Sequence, residues 1–63
     1  MEEFIIVTLK PYDGAEPDIV LNKKHIRSIK DFEYEEGSII TTITGETYNV
    51  QMSAQEIFDK YLI

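Results

Sequence analysis

The last third of this chain constrains its fold most tightly, because a strand-turn-strand pattern there runs straight into a helix-start signature. In Ile39-Ile40-Thr41-Thr42-Ile43-Thr44-Gly45-Glu46-Thr47-Tyr48-Asn49-Val50-Gln51-Met52, Thr44-Gly45 separates two β-rich segments. Glycine there supplies the left-handed conformation that tight hairpin turns require. Tyr48, Val50 and Met52 alternate with Thr47, Asn49 and Gln51, which predicts one buried and one wet face. Ser53-Ala54-Gln55-Glu56 reads as a capping box, in which the Ser hydroxyl accepts from the Glu56 amide and the Glu carboxylate accepts from the Ser amide. Ala54, Ile57, Phe58, Tyr61 and Leu62 then share one stripe at helical spacing, so Phe58 and Tyr61, with Tyr48, are expected in the core. Glu56 and Lys60 form an i, i+4 pair on the opposite face. A helix of about ten residues is marginal alone, so its stripe has to dock on the sheet.

The earlier residues read as strands separated by turns. Phe4-Ile5-Ile6-Val7-Thr8-Leu9 is a dense β-branched run. Phe4 and Ile6 face one side, and Ile5, Val7 and Leu9 face the other. A strand apolar on both faces is either central and covered or an edge that meets another chain. Lys10-Pro11-Tyr12-Asp13-Gly14 is a turn, with Asp-Gly supplying positive φ, and Pro17 limits the next strand to residues 18–21. Ile26 and Ile29 stand three apart, which suits one helical turn, and Asn22 is its cap. Residues 28–34 return to a period of two. There Phe32 and Tyr34 share one face, Asp31, Glu33 and Glu35 share a solvated one, and Glu36-Gly37-Ser38 makes the next turn.

Size and charge exclude several functions. The 63 residues allow one domain, which buries only about 60% of the surface its unfolded chain exposes. With no cysteine, neither disulfides nor thiolate metal sites are available to reinforce it. The aliphatic and aromatic content still allows a lone fold, and self-association is the supplement expected where one is needed. Twelve carboxylates against six Lys and Arg give a net charge of −6, which opposes nucleic acid as a bulk partner. The acidic Met1-Glu2-Glu3 start and the four-residue apolar run after it match neither a signal peptide nor a membrane span, so a cytoplasmic location is expected.

Catalytic and metal chemistry finds no constellation in the sequence. The one histidine, His25, has no cysteine or second histidine to share a zinc ion with. Lys23, Lys24 and Arg27 beside it disfavour its taking up a proton as a base for Ser or Thr. Counted from Asp31 as a calcium loop, Gly37 falls at the seventh position and Thr42 at the twelfth, where glycine is needed at the sixth and glutamate at the twelfth. The chain is therefore expected to be no enzyme and to need no cofactor. Lys23, Lys24, His25, Arg27 and Lys30 concentrate five of the seven basic side chains within residues 23–30, directly before the acidic residues 31–36. Such segregation makes a local dipole able to steer an acidic partner or a second copy. The candidate contact surface is thus Lys23, Lys24, His25, Arg27 and Lys30, together with Phe4 and Ile6 on the first strand.

The order of motifs resembles the small bacterial flagellar FlbD family, also called SwrD-like. The matching residues are Val7-Thr8-Leu9, Asp13-Gly14, Val20-Leu21-Asn22, Ile26 with Ile29, Ile40-Thr41, Gly45, Tyr48, Val50, and Ser53 with Glu56-Ile57. They span most of the chain and are turns, core positions and a cap. Thr42 in place of an aliphatic residue, Met52 in place of an acidic one, the insertion Ala15-Glu16-Pro17 and the acidic residues 31–36 depart from the pattern. The resemblance implies a cytoplasmic motility accessory factor that acts through protein contacts, and it brings no catalytic residue to carry over.

The expected fold is α+β and mainly β: a small antiparallel meander or partial barrel of about five strands with one C-terminal helix. The expected function is a non-enzymatic protein–protein interaction module, as a homo-oligomer, with no membrane insertion. The rival readings are a nucleic-acid-binding regulator using the basic residues 23–30 and an uncharacterised phage or mobile-element protein.

Overall fold

The computed structural model describes residues 3–11 and 13–62. Met1, Glu2, the turn residue Tyr12, Ile63 and the side chain of Leu62 on the expected helical stripe lie outside that description. Its elements are β1 (Phe4–Thr8), β2 (Asp18–Asn22), β3 (Ile26–Asp31), β4 (Ser38–Thr42), β5 (Thr47–Val50) and the helix α1 (Ala54–Ile57), which continues as a π-helical coil over Phe58–Leu62. β1 and β2 form an antiparallel hairpin, and β3, β4 and β5 form an antiparallel meander.

The two sheets are joined where β1 runs past β5. The Gln51 amide donates to the Thr8 carbonyl and the Lys10 amide to the Asn49 carbonyl, each at 2.9 Å, on either side of a Leu9–Val50 bridge. β1 therefore has β2 along one edge and the end of β5 against the other. The five strands form two linked sheets and do not close into a barrel.

Alternation decides what each strand contributes to the core. Ile5 and Val7 from β1, Ile40 from β4, Val50 from β5 and Ile57 from α1 are buried together. Each such aliphatic side chain contributes about 1.5–3 kcal/mol by leaving water. The outward residues of β1, Phe4 and Ile6, are each 54% exposed. The first strand is thus covered on one face and open on the other.

Local chemistry accounts for the connections. Asn22 accepts the Lys24 amide at 2.9 Å and caps a short 3₁₀ turn, Lys23–His25. Asp13 and Gly14, at φ of 53° and 80°, make the β1–β2 turn left-handed as expected. In the second hairpin Gly45 sits at φ 91°, and the Thr42 amide donates to the Glu46 carbonyl at 2.9 Å. Thr42 is buried, and its hydroxyl accepts the Glu46 amide at 3.2 Å and bonds the Thr44 hydroxyl at 2.9 Å. A polar residue is satisfied at this core position because it organises the turn. The capping box at Ser53 and Glu56 is complete, with both bonds at 3.1 Å.

Four expectations are corrected. Ile26 and Ile29 lie on β3, outside the 3₁₀ turn, because a β-bulge makes Ile26 oppose Thr42 and Ser28 oppose Thr41. Arg27 is the extra residue, and a bulge brings side chains three apart onto one face. β3 also ends at Asp31, so Glu33 and Glu35 share no strand face with it. Residues 32–37 fold instead around Lys10, whose ammonium bonds the Glu36 carbonyl, lies 3.6 Å from Glu35 and stands 4.9 Å from the centre of the Phe32 ring. Phe58 is 48% exposed, outside the core, because Ile57 takes the centre of the buried stripe and its neighbour is turned to the edge. Finally, the Glu56 carboxylate is drawn back to the Ser53 amide, while Lys60 lies 5.3 Å from the centre of the Tyr61 ring. Capping thus displaces the expected Glu56–Lys60 pair.

Candidate functional site

Between β3 and the C-terminal helix lies an open groove of about 630 Å³. Ile26, Ile29, Ala54 and Phe58 make its apolar lining, and Lys23 and Arg27 bring two cations to it. The groove exists because of two local devices. The bulge at Arg27 points Ile26 and Ile29 inward while leaving Arg27 itself exposed. Asp31, the last residue of β3, then accepts the Ala54 amide at 2.7 Å and holds the helix start beside the strand. A carboxylate at that place also complements the positive end of the helix.

The other basic residues are dispersed. Lys24 is exposed and lies 3.6 Å from Glu3. His25 is exposed and lines a separate cavity of about 430 Å³ with Phe4, Val20 and Tyr48. Its backbone carbonyl accepts the Ile43 amide at 2.8 Å. Lys30 is exposed and alternates with Ile29 and Asp31, so it faces away from the groove. Of the five cationic positions, Lys23 and Arg27 alone line the groove.

Phe4 and Ile6 belong to a different surface. Ile6 opposes Val20 in the β1–β2 register, and the two are 54% and 61% exposed. With Phe4 they form a small apolar face on the outside of the hairpin. The free edge of β1 beneath it is partly closed by the Tyr61 hydroxyl, which donates to the Ile6 carbonyl at 3.0 Å.

Phe58 and Asp31 are groove residues that the sequence pattern assigned elsewhere. An apolar pair such as Ile57-Phe58, wider than a single stripe needs, is the signal for a residue left at the rim. Among the described residues no three His, Asp or Glu side chains are placed to hold a metal ion. Among them, too, no helix is long and apolar enough to cross a membrane. Comparison of the chain with protein-family models, with curated proteins and with solved structures gives no match.

Proposed function

We propose that this chain is a non-enzymatic interaction module that receives a protein segment in the groove between β3 and the C-terminal helix. The observation that carries the proposal is the convergence of Lys23 and Arg27 on an apolar floor beside a large aromatic, Phe58, that folding leaves 48% exposed. An apolar patch rimmed by charge is the usual form of a protein contact. The cations select for acidic flanks in the segment received, and the floor selects for an aromatic or aliphatic anchor. The flagellar resemblance supports a motility setting for that contact.

The test is affinity capture from the native cell, followed by direct binding of the purified partner. A Lys23→Glu/Arg27→Glu double variant is expected to lose the partner. Lys30→Glu, on the face away from the groove, is expected to keep it. Equal losses in both would mean that general charge, and no particular groove, governs capture.

A further inference from the structure

The groove has a complementary feature on the same chain. Residues 32–37 are fixed at their base by Lys10, through Glu35, the Glu36 carbonyl and the Phe32 ring. Gly37 at the end of the loop is buried at φ 105°. From this anchored loop Tyr34 projects with 92% of its surface exposed. An aromatic ring held that far into water contributes nothing to the fold of one copy. Tyrosine is also among the side chains most enriched at the centres of protein contacts, because it offers a rigid apolar body with a polar tip. Glu33 precedes it in sequence and is exposed, opposite in charge to the Lys23 and Arg27 of the groove.

We infer that the groove's occupant is the acidic loop of a second copy of this chain. Tyr34 enters between Phe58 and the Ile26–Ile29 floor, and Glu33 faces Lys23 and Arg27, while Glu35 stays with Lys10 at the base of the loop. The inference rests on the reading of this groove as the contact surface and names what fills it. A chain's own loop does not fill its own groove, since Tyr34 stands free of contact there. Each copy carries one loop and one groove, so reciprocal exchange about a two-fold axis satisfies both and closes the assembly at two. The net charge of −6 on each copy opposes approach at long range, so the association is weak and dominated by the docked pairs.

Sedimentation equilibrium from micromolar to millimolar concentration tests this. The wild type is expected to shift from one to two chain masses. Tyr34→Ala, at a position the fold does not use, should raise the dissociation constant by about tenfold or more. Two charge variants provide the decisive arm. Lys23→Glu/Arg27→Glu alone and Glu33→Arg alone should each be monomeric. Their mixture should dimerise again, because both reciprocal contacts then join opposite charges, and that recovery also shows that each variant is folded. A wild type that stays monomeric at millimolar concentration, or a mixture that stays monomeric while the wild type dimerises, overturns the inference. If the wild type is monomeric but Arg27→Glu still loses a captured partner, the groove reading stands and only the second copy is excluded.

Discussion

The Asp31 carboxylate and the Ala54 amide meet at 2.7 Å, and this bond joins the end of β3 to the first turn of the helix. It sets one side of the groove against the other, so the shape of the candidate site depends on a single carboxylate supplied by the acidic run. Asp31→Ala leaves the Ala54 amide without that partner, although Ser53 and Glu56 still form their capping box. The expected loss is about 1 kcal/mol of stability. Urea denaturation followed by circular dichroism reads it. Asp31→Asn, whose amide oxygen still accepts, should recover part of the loss.

The far end of the same helix is tied to β1 through the Tyr61 hydroxyl and the Ile6 carbonyl, 3.0 Å apart. Tyr61→Phe keeps the ring and removes the bond, so it should destabilise the chain by about 0.5–1.5 kcal/mol. Amide hydrogen exchange locates the effect. Faster exchange is expected in the C-terminal coil, and the β3–β4–β5 meander should be unchanged.

Gly37 combines a φ of 105° with close packing. A methyl group there would meet the Val50 carbonyl and come within 2.8 Å of Lys10 Cε. The substitution Gly37→Ala should therefore cost about 3 kcal/mol or more, from backbone strain and the displaced carbonyl together. A thermal melt of the variant beside the wild type measures this. Gly14→Ala, at φ 80° with open space around it, should lose only the strain part and melt between the two.

Most of the regular structure was legible where the physics is local. The Thr44-Gly45 turn and the Ser53–Glu56 box each depend on groups within four residues of one another and formed as read, and Asn22 does cap a turn, though one that ends at His25, before Ile26. The buried and exposed faces of β1 and β5 follow from alternation alone. What was not legible depends on distant partners. β3 stops at Asp31 because its carboxylate is engaged by Ala54 and because Lys10 gathers the loop that follows. The three-residue spacing of Ile26 and Ile29 fits a helical turn and a bulged strand equally, and only pairing with Thr41 and Thr42 decides between them. The groove was hidden for the same reason. Lys23 and Arg27 come from one side of it, Ala54 and Phe58 from the other, and the fold alone brings them together.

The separation of the basic residues bears on the nucleic-acid alternative. Lys23 and Arg27 converge while Lys24 and Lys30 point elsewhere, so at most two phosphates are neutralised at one place. The logarithm of affinity should then fall with the logarithm of salt at a slope no steeper than about −2. Filter binding of single-stranded and duplex oligonucleotides across a salt series is expected to show weak retention within that limit. A steep slope would instead require the scattered cations to act as one surface.

The central claim is that contact runs through the β3–helix groove and spares the apolar outer face of the β1–β2 hairpin. Site-specific photocrosslinking in the native cell addresses it directly, with a benzophenone side chain introduced either at Phe58 in the groove or at Val20 on the hairpin face. Both positions are partly exposed, at 48% and 61%, so neither substitution disturbs the core. The account predicts a discrete crosslinked product from position 58 that Arg27→Glu abolishes, and no such product from position 20. A product from position 20 with none from position 58 would contradict it.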